Sequence, residues 1–276
     1  MLILKLLKIL IIIGGIFTAF YIVYLFIHCK RTNGMLKDYF KESSVIVYGP
    51  KGTGKDLLFQ KVIYLKRKKS YLANIPYGYK CEIEPIRTLS VAPNSFESFI
   101  NEKVTTIQKR DDYEGRDYYI SDAGVFLPAQ YNGALNKNYY SLPIYYALSR
   151  HLYGMNIHMN SQYLNRAWNM LREQADRFIR CVGKVKTPFG IIAKIRMYDK
   201  YESACKNLLP MKKPFFLNRF EMAIYKQYIA TNGEIKTRHY LIHYRHIKYD
   251  TRVFHKIVFG ISFKEWLEKQ KNKRKQ

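Results

Sequence analysis

Residues 43–69, SSVIVYGPKGTGKDLLFQKVIYLKRKK, constrain this chain more than any other stretch. A short β-branched run, Ser43–Gly49, enters a glycine-rich loop. The loop opens into a segment whose apolar residues recur at helical spacing. A strand that feeds a helix through a tight glycine turn belongs to an α/β layer, with a mainly parallel sheet flanked by helices.

The loop itself carries chemistry. Gly49, Gly52 and Gly54 let the backbone curl so that its N–H groups face phosphate oxygens, and the following helix adds its positive N-terminal end. Pro50, Lys51 and Thr53 complete the cradle, and Lys55 is placed to reach β and γ phosphates. This is the nucleotide-binding P-loop pattern in its required strand–loop–helix setting. The expected fold is therefore a P-loop NTPase, with Gly49 to Asp56 as the ATP-binding residues. Asp56 stands where the pattern has a serine or threonine hydroxyl for Mg2+. A second strand, in RDYYISDAGVFLP, ends on Asp122, the acid at its tip. A P-loop enzyme needs an acid there to support the metal shell or polarise water.

Ahead of the loop, Ile9–His28 runs for twenty residues without a charge. As a helix it is about 30 Å long, the thickness of a bilayer's hydrocarbon core. A signal peptide is the rival reading, but the run exceeds the usual h-region and no small-x-small cleavage site follows. Lys5 and Lys8 precede the span; Lys30, Arg31, Lys37 and Lys41 follow it. The count leans towards a cytoplasmic C-terminal side, and a nucleotide site requires it. The expectation is a single-pass protein of the host plasma (inner) membrane, with its N-terminus outside and its nucleotide-binding body in the cytoplasm.

Lys and Arg outnumber Asp and Glu by 47 to 21, giving a net charge of +26 on a chain that is 48% hydrophobic. That excludes a disordered acidic chain and points to an anionic partner, nucleic acid or lipid. Cys29, Cys81, Cys181 and Cys205 show no CxxC spacing and read as reduced thiols. His239, His243 and His246 would share a helical face, but no carboxylate accompanies them and their tyrosine-rich context reads as a strand. A solvated or phosphate-contacting surface suits them better than a metal site. In the C-terminal third, two tyrosine-rich stretches flank TNGE, a hairpin-like turn, and the tail EKQKNKRKQ is basic. Tyrosines interleaved with cations suit single-stranded DNA, and equally a plain basic β-ribbon.

GPKGTGKD, ISDAGVFLP, SRHLYGMNIHMNSQ and IRMYDKYESA, spread over about residues 43–203, carry a resemblance. Their layout resembles the zonular occludens toxin family, which includes the filamentous-phage assembly ATPases and lies within the FtsK/HerA group of P-loop motors. The resemblance implies a homo-oligomeric ring, a hexamer, acting on phage single-stranded DNA and coat proteins at the host cell membrane. It implies that Gln162 senses the γ-phosphate or the attacking water. It also implies that Arg150 enters the neighbouring subunit's site. Lys55, Asp122, Gln162 and Arg150 are thus the catalytic candidates.

This chain departs from the family in two ways. The family's strand-end pair is Asp-Glu followed by Ala, whereas Ser121-Asp122-Ala123 stands here. Asp122 then falls at the catalytic acid position and Ser121 at the metal-shell position. Together with Asp56 this reads as one exchange, acid on the loop and hydroxyl on the strand, so that Asp56 and Ser121 are the Mg2+ candidates. The family's membrane span also follows the ATPase domain, whereas here it comes first. The expected organisation is an anchor over 1–30, a linker over 31–42, a P-loop ATPase domain over 43–205 and a basic tyrosine-rich region over 206–276. The function expected is an ATPase that drives filamentous-phage assembly and extrusion of single-stranded DNA. The alternatives are a packaging or conjugation pump for double-stranded DNA, and a nucleotide-binding membrane scaffold without hydrolysis.

Overall fold

The computed structural model describes residues 2–41, 44–67, 69–75, 77–83, 115–123, 154–166, 172, 175–214 and 218–248. Helix α1 (Leu2–Tyr39) leads into strand β1 (Val45–Tyr48), whose four residues are all buried. Side chains alternate across a strand. Val45 and Val47 therefore pack under α1 and α2 (Lys55–Leu65), while Ile46 and Tyr48 face the opposite layer. A central strand covered on both faces has to be apolar throughout, as VIVY is.

Strands β2 (Tyr71–Ala73), β3 (Cys81–Ile83), β4 (Asp117–Ile120), β5 (Asn156–Ser161), β6 (Arg177–Thr187), β7 (Gly190–Tyr198) and β8 (Ile235–His243) complete one sheet. Its order is β3-β2-β4-β5-β1-β6-β7-β8. From β3 to β6 every pairing is parallel; β7 and β8 add an antiparallel extension. The expected α/β class, with a mainly parallel sheet flanked by helices, is what the chain adopts.

Two stretches differ from their sequence reading. Residues 31–39, expected as linker, continue α1, and Leu36, Tyr39 and Phe40 are buried in the core. Upstream, Phe17 and Phe20 are 72% and 71% exposed. One helix thus passes from an apolar exposed half into the domain's interior. Its described part from Ile12 is long and apolar enough to cross a membrane. Thr18 returns its hydroxyl to the Gly14 carbonyl at 2.7 Å, which satisfies its polar group within the apolar half.

The second difference is the hairpin expected around TNGE. The first of its stretches is a helix, α4 (Arg219–Asn232), which follows the short α3 (Tyr201–Cys205). Asn218 caps α4 by accepting from the Glu221 amide, and Gly233 ends it at φ 72°. Asn-Gly is a stop signal for a helix as well as a hairpin turn, which is why the sequence misled here. The second stretch, β8, carries His239 and His243 as an outer strand of the main sheet. His246 lies in a following 3-10 turn. All four cysteines are free thiols.

Candidate functional site

The loop after β1 adopts backbone conformations that its glycines make possible. Gly49, Gly52 and Gly54 have φ of 148°, 83° and 97°. At Gly49 the demand is also steric, because a Cβ would come within 2.5 Å of the Cys181 carbonyl oxygen on β6. Gly54 is the left-handed residue that starts α2. Tyr240 on β8 reaches across and donates to the Gly54 carbonyl at 3.3 Å. Lys55 is 7% exposed and folds over the loop, donating to the carbonyls of Gly49 at 3.0 Å and Pro50 at 3.3 Å. Thr53 donates to the Pro50 carbonyl at 2.7 Å.

Asp56, in the first turn of α2, is the hub of a side-chain network. Its Oδ1 accepts from Ser121 Oγ at 2.7 Å, Asn160 Nδ2 at 2.7 Å and Tyr77 Oη at 2.9 Å. Among the described residues all three donors converge on that one oxygen. Ser121 is fully buried at the end of β4 and is fixed by Asn74: the Asn74 side chain accepts from the Ser121 amide at 2.8 Å and donates to its carbonyl at 3.0 Å. Asp122 follows at φ 50°, a left-handed conformation that Asp tolerates better than most residues. Its amide donates to Asn160 Oδ1 at 2.8 Å. Asn160 therefore ties the tips of β4 and β5 to the loop helix, with a further contact of 3.4 Å to Ser121 Oγ.

The electrostatics follow from this packing. Burial pushes the Asp122 carboxyl above its usual range, the Asp56 carboxylate adds to the rise, and Lys55 opposes it. Burial lifts the Cys181 thiol to about 12, against the pull of Lys55. Cys181 is therefore an inert wall of the site rather than a nucleophile.

Of the residues singled out in the sequence, Gly49 to Asp56, Ser121 and Asp122 come together at the carboxyl ends of β1 and β4. That edge is where open α/β sheets place ligand crevices. Gln162 lies half-buried just beyond β5, in the bend before a 3-10 turn (Leu164–Arg166). Arg150 lies outside the described residues, as does the basic tail EKQKNKRKQ. Asn160, Tyr77, Asn74 and Tyr240 were not anticipated. Asn160 had a signal. In NIHMNS the polar residues Asn156, His158 and Asn160 alternate with Ile157 and Met159, and all six residues are buried. Polar groups at period two in a buried strand require partners, and so mark a functional or structural network.

The donor set suits a hard cation: a carboxylate and a hydroxyl 2.7 Å apart, with a second carboxylate on the next residue. Among the described residues no cluster of three or more His, Cys, Asp or Glu could hold a metal by itself. Mg2+ does not need one, because phosphates and water supply its remaining ligands.

A glycine loop with its lysine, at the end of a central parallel strand and at the start of a helix, defines a P-loop NTPase fold. No protein-family model and no curated protein sequence matches the chain. Among solved structures it is similar to the genome packaging NTPase B204 of Sulfolobus turreted icosahedral virus 2 in complex with AMPPCP. That match has 13% identity and a TM-score of 0.36, and covers 58% of this chain and 93% of that one. It is also similar to the N-terminal domain of zonular occludens toxin from Neisseria meningitidis, with 15% identity, a TM-score of 0.35 and coverage of 61% and 92%. The pCW3 conjugation coupling protein TcpA, in monomer form with ATPgS, matches with 10% identity, a TM-score of 0.35 and coverage of 52% and 49%. These are loose likenesses, and the site stands on its own geometry.

Proposed function

We propose that the chain is a membrane-anchored P-loop ATPase that powers filamentous-phage assembly and extrusion of single-stranded DNA. The observation that carries the ATPase reading is the hub at Asp56, where the loop helix, β4 and β5 meet on one carboxylate oxygen. In an ordinary P-loop site a loop hydroxyl meets the metal and a strand acid supports it. Here the two residue types trade places, so one acid and one hydroxyl still stand at the metal position.

Each residue then has a task. Backbone amides of Lys51 to Lys55 hold the phosphates, and the Lys55 side chain leaves the loop carbonyls to neutralise β and γ charge. Asp56, through the oxygen that its three donors leave, and Ser121 would hold Mg2+. Mg2+ held by these two residues would supply Lewis-acid stabilisation of the phosphate charge. Asp122, with its raised carboxyl pKa, orients the attacking water. Gln162 senses the γ-phosphate, and Arg150 completes the neighbour's site in a ring.

The phage-extrusion reading rests on the motif layout from GPKGTGKD to IRMYDKYESA. The placement of the machine rests on α1, whose apolar exposed half continues into the core. The test is ATP turnover by the full-length protein in nanodiscs, alone and with single- or double-stranded DNA. Stimulation by single strands supports extrusion. Stimulation by duplex alone replaces it with a double-strand pump, and nucleotide binding without turnover replaces it with a scaffold.

A further inference from the structure

We infer that Lys184, on the β6–β7 hairpin, is a further phosphate-binding residue of the P-loop site and brings one more positive charge to the phosphate chain. The inference rests on the nucleotide-binding reading above. Strand β1 ends at Tyr48, opposite Arg180. From Cys181 to Thr187, β6 runs on without β1 and passes the loop; Cys181 already abuts Gly49.

A bulge lies in this overhang. Cys181 pairs with Ile195, but the next pair is Gly183 with Lys194, so Val182 is the extra residue. Without it, Lys184 would pair with Ile192 and point to the outer face of the hairpin. With it, Lys184 pairs with Ala193, which in turn pairs with Tyr240. Ala193 and Tyr240 are buried in the core layer under α1 and α2, so this row faces the loop. A one-residue shift exchanges the two faces of a strand, and bulges beside active sites re-aim side chains in this way.

The contacts agree with that placement. The Cδ of Lys184 lies 3.6 Å from where a Cβ on Gly54 would stand, and Tyr240, from the same row, bonds the Gly54 carbonyl. Gly54 starts α2, the helix whose N-terminal end would face bound phosphates. The ammonium is two bonds beyond Cδ, on an exposed side chain with no acidic partner among the described residues. The charge balance gives it a purpose. Lys51 and Lys55 offset only Asp56 and Asp122, which leaves the phosphate chain to be met by other cations.

The test uses the full-length protein in nanodiscs and measures Kd for ATP, ADP and AMP with Mg2+ at low salt. Lys184→Gln is expected to weaken ATP and ADP by about tenfold or more, as for loss of one charged contact, and to leave AMP within about twofold. Lys184→Arg is expected to keep most of the affinity. Equal loss in both variants would assign the effect to packing of the stem and overturn the inference. So would unchanged ATP affinity in Lys184→Gln while Lys55→Ala abolishes binding. Unchanged affinity in Lys55→Ala would overturn the nucleotide reading itself, and this inference with it.

Discussion

Exchanging Asp56 and Ser121 tests whether the two positions are partners. Asp56→Thr removes the acceptor of three hydrogen bonds, at 2.7, 2.7 and 2.9 Å. A hydrogen bond to a charged group contributes about 1.5–3 kcal/mol. A threonine oxygen can accept from one of the three donors, so the expected loss is about 3 kcal/mol in unfolding stability. Ser121→Asp does different damage. It sets a second carboxylate against Asp56 at a fully buried position, and two like charges at 4 Å cost about 4 kcal/mol at an effective dielectric of 20. The double variant restores one acid and one hydroxyl. It should recover about 3 kcal/mol relative to the sum of the single changes, with rescue short of complete because Tyr77 and Asn160 still lose their carboxylate. Both the Mg2+-dependent ATPase rate and denaturant unfolding of the full-length protein can be read in one double-mutant cycle. Additivity within about 0.5 kcal/mol on both readouts would refute the reasoning, since uncoupled positions add within that margin.

Three further outcomes are expected. At the opposite edge of the sheet, Lys66 at the end of α2 donates to Asp117 Oδ2 and to the Phe40 carbonyl, each at 2.6 Å. Burial alone would raise the Asp117 carboxyl, but His158 and Lys66 outweigh it and hold it at about 2. A depressed carboxyl stabilises the fold above its unfolded pKa near 4 and loses that contribution as pH falls towards 2. About 2 kcal/mol should therefore vanish across that window in acid unfolding, and the loss should be absent from Asp117→Asn. Arg150→Ala should bind ATP normally yet turn over about 10³-fold more slowly, and should regain activity when mixed with Lys55→Ala protein; loss of ATP binding would make Arg150 structural. A C-terminal reporter should be active only inside the cell, and activity only outside would remove the ATPase reading along with the orientation.

Where local chemistry fixed the structure, it was legible in the sequence. The β-branched run, the three glycines and the helical spacing after Lys55 specified β1, the loop and α2, because each depends on near neighbours. The tip of β4 was legible as a position, since Asp122 closes a strand with the apolar run Tyr118–Ile120, whereas Gln162 at the tip of β5 was marked only by the family resemblance. Their partners were not. Tyr77, Asn74 and Tyr240 reach the site from 21, 47 and 186 residues away, and a tyrosine in a chain with 25 of them carries no local mark. Asn160 carried one, in the alternation of polar residues along a buried strand. The helix at Arg219–Asn232 was missed because Thr-Asn-Gly ends a helix as readily as it turns a hairpin. The bulge at Val182 left no trace either, since register depends on the partner strand.

The most direct measurement is inorganic phosphate release by the full-length protein in nanodiscs with Mg2+ and ATP, compared with Lys55→Ala. Lys55 bridges the loop carbonyls, and in the proposed ATPase it is the loop residue whose charge neutralises the phosphates. The expected result is Mg2+-dependent turnover in the wild-type protein and none above background in Lys55→Ala. Equal release from both proteins, or release unaffected by removing Mg2+, would contradict an ATPase built around the Asp56 and Ser121 exchange.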